Sequence, residues 1–176
     1  MGERRKQYLD CRLWRNDFKN SRWRRQWVCS RIRYSSNELY RIDGLNENRL
    51  AIVGNKSTFL YTSNGGRIWL ASSYNLANNY KIQALDIIDE SHAWAVGTSG
   101  IILFSSDLGA NWLLQNSITG LALDDVHFKD ASTGYIVGQS GIIFETTDGG
   151  TTWTQIAKGV TDQYLKAIEI TKDNIF

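Results

Sequence analysis

The stretch ETTDGGTTW, Glu145 to Trp153, decides how the chain is read. Two glycines, an aspartate and four threonines precede a tryptophan. Taken alone it fits a nucleotide loop, a calcium loop, part of an active site or a structural turn. It is not alone. LFSSDLGANW ends at Trp112 and LYTSNGGRIW ends at Trp69. Aligned on the tryptophan, the three share one pattern: hydroxyl, any residue, Asp or Asn, any residue, Gly, two residues, Trp. The hydroxyls are Thr62, Ser105 and Thr146, and the acid or amide positions are Asn64, Asp107 and Asp148. The glycines are Gly66, Gly109 and Gly150. A Val-Gly pair sits nine residues before each hydroxyl, at Val53-Gly54, Val96-Gly97 and Val137-Gly138. Two landmarks at constant offset, with tryptophans 43 and then 41 residues apart, define an internal repeat of about 42 residues.

The third copy shows what one repeat is. LDDVHF alternates apolar and polar, KDAST is a turn cluster, and GYIVG is rich in aromatic and β-branched residues. QSG turns again, IIFETT is a third strand, DGG a third turn, and TTWTQIA a fourth strand. Short strands between Gly, Asp and Ser turns predict a four-stranded antiparallel meander. No segment carries a sustained 3.6-residue apolar period. A lone sheet of this size cannot bury both faces, so the expected fold is all-β: a β-propeller, or partial propeller, of four-stranded blades. An open β-solenoid is the alternative, but its repeats are shorter.

Every element of ETTDGGTTW then has a folding role. Glycine supplies the positive φ of the turn. The Asp or Asn side chain accepts from the turn's own N–H groups, and the hydroxyl closes the same loop. The tryptophan offers a large apolar face. Calcium needs six to eight oxygens and each turn has at most one carboxylate, so no metal is expected there. His92 and His127 lie in different repeats without Cys or a second His at ligand spacing, which argues against zinc. No cofactor is expected.

The bulk composition sets the frame. The chain has 176 residues, 42% of them apolar, and no proline. No apolar run is long enough to span a membrane, and no signal peptide is visible after the basic N-terminus. A net charge of +2 conceals an asymmetry. Residues 1–41 hold 12 Lys or Arg against 4 Asp or Glu, a balance of +8; residues 42–176 hold 8 against 14, a balance of −6. The expected division is therefore a basic N-terminal segment, 1–41, and a body of repeats, 42–176, with three recognisable copies and the start of another. Trp27 lies on period, 42 residues before Trp69, so the basic segment also reads as a degenerate blade. Cys11 and Cys29 both fall within it, and the sequence leaves their pairing open.

The motif resembles the Asp-box, or BNR, repeat, Ser/Thr-x-Asp-x-Gly-x-Thr-Trp. TTDGGTTW matches at every defined position, SSDLGANW departs at Asn111, and TSNGGRIW departs at Asn64 and Ile68. In that family the motif is a structural hairpin on the outer part of each blade. The longer pattern GYIVGQSGIIFETTDGGTTW is similar to propellers of the photosystem II stability and assembly factor group. Trp94-Ala95-Val96-Gly97 with Gly100 fits the same pattern. The resemblance covers residues 43–176. It implies a non-enzymatic scaffold that binds or assembles protein partners, usually seven-bladed and exported or lumenal. Three Asp boxes and parts of two other blades fall short of seven, so the chain is expected to be a piece of a larger propeller or to self-associate.

Two other functions compete with this one. A sialidase-like glycoside hydrolase, or a glycan-binding propeller, would also carry Asp boxes. Such an enzyme needs an arginine cluster for the substrate carboxylate, and the repeat body holds only Arg49 and Arg67. YRID, Tyr40 to Asp43, is only a partial echo of that family's signature, which requires proline. Asp124-Asp125 and Asp89-Glu90 are adjacent pairs, expected to be solvated strand ends. No catalytic residue is assigned. The other reading is nucleic-acid or acidic-surface binding through Arg15, Arg22, Trp23, Arg24, Arg25, Trp27, Arg31 and Arg33, where arginine is interleaved with tryptophan.

Overall fold

The computed structural model describes residues 37–170 apart from 75, 77 and 78. It forms three consecutive β-propeller blades, and among the described residues there is no α-helix. In the first blade β1 (Leu39–Asn46), β2 (Arg49–Gly54), β3 (Phe59–Thr62) and β4 (Leu70–Ala71) lie side by side in chain order. The composition break at residue 41 thus falls inside β1.

The second blade has the four expected antiparallel strands and gains a fifth from its neighbour. Chain leaving the first blade contributes β5 (Ser73–Tyr74), which pairs in parallel with β9 (Asn111–Leu114). Then come β6 (Ile82–Asp89), β7 (His92–Gly97) and β8 (Ile102–Ser105), giving the order β5-β9-β8-β7-β6. The Ser73 N–H donates to the Ala110 carbonyl at 2.8 Å and the Ser72 hydroxyl to that of Gly109. A connecting segment thereby covers an outer edge that would otherwise expose unpaired backbone. The third blade is β10 (Leu123–Phe128), β11 (Gly134–Gly138), β12 (Ile143–Thr146) and β13 (Thr154–Ile156), again in chain order.

The core lies between blades. Ala51, Val53 and Phe59 of the first blade pack on Leu85, Ile87, Ala95 and Leu103 of the second. Ala84, Trp94, Val96 and Ile102 of the second pack on Leu123, Val126, Phe128, Ile136 and Phe144 of the third. The two faces of β7 therefore serve two different interfaces: Ala95 looks back, while Trp94 and Val96 look forward. This is the period-two alternation of a strand buried on both sides. Trp94 is fully buried, and its ring stacks on Phe128 with centroids 3.5 Å apart and planes 10° apart. Beyond the third blade, Leu165, Ile168 and Ile170 lie on Tyr135, Val137 and Ile143 in the same manner.

The Val-Gly landmark owes its glycine to close approach. Gly97 and Gly138 have extended backbone, φ −173° and −176°, which any residue adopts. A Cβ at Gly54, Gly97 or Gly138, however, would overlap the backbone carbonyl oxygen of Glu38, Lys81 or Ala122. In each blade this is the chain entering the innermost strand. The pair marks where the end of the second strand meets the start of the first.

Candidate functional site

The three Asp boxes share one hydrogen-bond pattern. Each hydroxyl accepts the N–H of the motif glycine: Thr62 from Gly66 at 3.1 Å, Ser105 from Gly109 at 2.9 Å, Thr146 from Gly150 at 2.9 Å. Each hydroxyl donates to the Asp or Asn two residues on, at 3.0, 2.9 and 2.9 Å. That side chain in turn accepts the N–H four residues further along: Asn64 from Ile68 at 2.9 Å, Asp107 from Asn111 at 2.7 Å, Asp148 from Thr152 at 2.8 Å. The glycines take φ of +76°, +84° and +82°, the left-handed region that favours glycine. Bonds from the Thr152 N–H and hydroxyl hold the Asp148 carboxyl below its ordinary range. Burial raises Asp107, but bonds from the Asn111 side chain and N–H and from Ser105 outweigh it, and its net shift is downward.

Two of the motif tryptophans reach across blade boundaries. Trp112 belongs to the cluster shared with the first blade, and Trp153 to the cluster shared with the second. Both are buried, at 4% and 7% exposed, and Trp153 meets the edge of Phe128. Trp69 is half-buried. The motif hydroxyls, Asp or Asn side chains and glycines are thus bonded within their own turns, and Trp112 and Trp153 pack between blades. Among the described residues, no group of three His, Cys, Asp or Glu side chains is placed to hold a metal ion.

A second constellation lies along the innermost strands. Asp43 on β1 accepts the N–H of Ile87 on β6 at 2.7 Å. Asp86 on β6 accepts the N–H of Phe128 on β10 at 2.6 Å. Asp125 on β10 accepts the N–H of Ile168 at 3.0 Å. Twice, a carboxylate of one blade satisfies a backbone donor on the outer edge of the next blade's inner strand, and a third time the donor lies in the segment that follows the third blade. Among the described residues β6 and β10 have no strand neighbour on that edge, and an unpaired donor there would be costly to bury.

Further charges converge on these carboxylates. Arg41 of the first blade reaches Asp125 of the third at 3.7 Å, and His127 stands 3.6 Å from Asp86. Lys166 meets Asp124 at 2.7 Å. Burial, then the charge of Asp86, pushes the Asp43 carboxyl up to about 6, against the opposing pull of the Ile87 and Gly44 N–H groups and Arg41. Burial likewise raises Asp125, in spite of the Ile168 N–H and Arg41. His127 is raised by its pairing with Asp86, which outweighs burial.

These positions correct one expectation and add residues the sequence reading did not single out. Asp125 is 4% exposed and the Asp124 side chain 6%, so this pair is not a solvated strand end. The two carboxylates take different partners because they occupy successive positions of a strand bordering the next blade. Asp89 and Glu90 are exposed at a strand end, with Asp89 on His92 and Glu90 on Arg49. Arg41 and Asp43 fall in the YRID stretch. The available signal was an acid recurring at one place in two inner strands, Asp43 and Asp86, where the third repeat has His127. Cys11, Cys29 and the candidate basic patch (Arg15, Arg22, Trp23, Arg24, Arg25, Trp27, Arg31 and Arg33) lie outside the described residues.

Comparison with solved structures shows the same architecture. The chain is similar to YCF48 from Cyanidioschyzon merolae, at 17% identity and a TM-score of 0.65, over 80% of this chain and 47% of that one. It is similar to YCF48 bound to D1 peptide, at 19% identity and a TM-score of 0.60, over 72% of this chain and 44% of that one. An ancestral GH74 enzyme matches at 18% identity and a TM-score of 0.54, over 69% of this chain but 18% of the enzyme. At these identities the likeness shows the fold alone. The chain spans under half the length of the YCF48 structures it matches. No curated protein sequence matches it. The family model described as photosynthesis system II assembly factor YCF48 matches residues 19–121 and 113–176. With its Asp-box turns, Val-Gly landmarks and stacked blades, the chain belongs to the photosynthesis system II assembly factor YCF48 family.

Proposed function

We propose that the chain is a non-catalytic, protein-binding part of an assembly-factor propeller. The observation that carries this reading is the family match, which runs through all three repeats. A similar protein, YCF48, is described with a D1 peptide bound, which makes an extended peptide of a client protein the favoured kind of partner. The described residues support a scaffold role. The Asp-box side chains are engaged in their own turns, and Arg41 and Arg49 are engaged by Asp125 and Glu90. The likeness to a GH74 enzyme concerns fold, and function resides in a site rather than a fold.

Calorimetric titration of the chain with a D1 peptide, and with a scrambled peptide of the same composition, tests the reading. Saturable binding of the first and none of the second is expected. Heats of dilution alone for both, up to millimolar peptide, would count against a peptide-receptor role. Turnover of a glycan substrate by the same preparation would overturn the non-catalytic assignment.

A further inference from the structure

The carboxylates of the inner strands do two things at once. They cap backbone donors across blade boundaries, and they crowd like charges near the axis. Asp43 feels Asp86; Asp125 feels Asp86; His127 feels Asp86, Asp125 and Glu169. The facing groups can be taken element by element. From β1 come Arg41, on Asp125, and Tyr40, bonded to Glu38. From β10 come Asp124, Asp125 and His127, and from the segment beyond the third blade Lys166 and Glu169. Behind β6, β7 sets Trp94 opposite Asp86; behind β10, β11 sets Tyr135 opposite His127, with its hydroxyl on Glu145. At the far end of these strands, Arg49 pairs with Glu90 and His92 with Asp89.

We propose that Asp43, Asp86, Asp125 and His127 form a proton-responsive lock between successive blades, firm in mildly acidic medium and looser in alkaline medium. The hydrogen bonds explain the lock, because a carboxyl group accepts an N–H through one oxygen whether or not the other carries a proton. The charges explain the response. Deprotonating Asp43 and His127 adds one negative charge and removes one positive charge beside Asp86, Asp125 and Glu169, with Arg41 and Lys166 the cations that remain. Like charges in a poorly hydrated setting repel more strongly than at the surface.

The direction follows from linkage. The folded Asp43 carboxyl lies above its ordinary value of 3.8, at about 6. Its contribution is fully present below 3.8 and is lost as pH rises through 6. His127 lies above its ordinary 6.5, so its contribution is present below 6.5 and is lost as pH rises through the raised value. Asp125 shifts in the same sense as Asp43. The lowered carboxyls of Asp89, Asp107, Asp130 and Asp148 act oppositely, losing their contribution only as pH falls below the ordinary range. The two responses therefore occupy separate windows, and stability should peak on the acid side of neutrality.

The test is thermal unfolding of the chain from pH 4.5 to 8.5, together with NMR titration of the His127 ring and the Asp43 carboxyl. The melting temperature should fall by on the order of 5 °C between pH 5 and pH 8. Asp43→Asn, which keeps an acceptor for Ile87, should flatten the part of the fall below about pH 6.5. His127→Gln should flatten the part above it. A melting temperature constant or rising over this range would overturn the proposal, as would variants that keep the parent's full slope. Should either variant fail to fold, the parent's titration decides. His127 titrating above 6.5 and Asp43 well above 4 sustain the lock; ordinary values for both refute it.

Discussion

Asp86 on the innermost strand of the second blade holds the N–H of Phe128 in the third, 2.6 Å away, although 42 residues separate them. The same carboxylate stands 3.6 Å from His127. Asp86→Ala would leave Phe128 with an unpaired edge donor and His127 without its partner. A hydrogen bond to a charged group contributes roughly 1.5–3 kcal/mol, and an orphaned donor costs a similar amount. The expected loss is about 2–3 kcal/mol, measured by urea unfolding at pH 7. Asp86→Asn should recover part of it, since an amide oxygen can still accept from Phe128. A variant with parental stability would show that the axial bond contributes nothing net.

The Thr146 hydroxyl is buried, and it accepts the N–H groups of Asp148 and Gly150 at 3.3 and 2.9 Å. Thr146→Val preserves shape and removes the acceptor. The Gly150 donor, buried with it, then has no partner, and the expected cost is about 1–3 kcal/mol. Ser105→Ala tests the same relationship in the second blade. Fluorescence-detected unfolding is suitable, because Trp153 and Trp112 follow directly behind the two turns.

These turns were legible in the sequence because their bonds are local. Thr146, Asp148, Gly150 and Thr152 meet within seven residues, so the motif spells out its own geometry. The stacking of blades was legible too, since the second strand of each repeat, in RLAIVG, HAWAVG and GYIVG, is apolar at consecutive positions and has no polar face. The axial carboxylates were not legible. Asp43, Asp86 and Asp125 take partners 42 to 44 residues away, which come within reach only once blades stack. Asp124-Asp125 in particular looks like a polar strand terminus when only its neighbours in sequence are considered. Likewise Gly97 was visible as a landmark, but its cause, the Lys81 carbonyl, lies 16 residues back, where the chain enters β6.

Asn64 departs from the aspartate of the other two boxes yet keeps their bonds, to Ile68 and Thr62. Asn64→Asp should strengthen both, because a charged acceptor forms the stronger bond. The melting temperature should rise at pH 7 by about 1–3 °C. The corresponding carboxyls of Asp107 and Asp148 are lowered by such bonds, so the gain belongs to pH above the ordinary carboxylate range. It should vanish as pH falls through the lowered value. An equal gain at pH 7 and pH 2.5 would point to something other than the charge.

Trp153 is the last case, and it separates area from hydrogen bonding. The indole lies in the cluster between the second and third blades, against Phe128. Its N–H is buried without a hydrogen-bond partner. If the residue acts by filling space, Trp153→Ala should cost about 3–5 kcal/mol through lost contacts and the cavity left behind. Trp153→Phe keeps an aromatic face and removes a buried donor that bonds to nothing. It should therefore cost markedly less, about 1–2 kcal/mol, for the volume alone. Paired chemical-denaturation curves measure the difference. Equal losses for the two variants would mean that the indole N–H carries the interaction, and the packing account of the Asp-box tryptophan would fall.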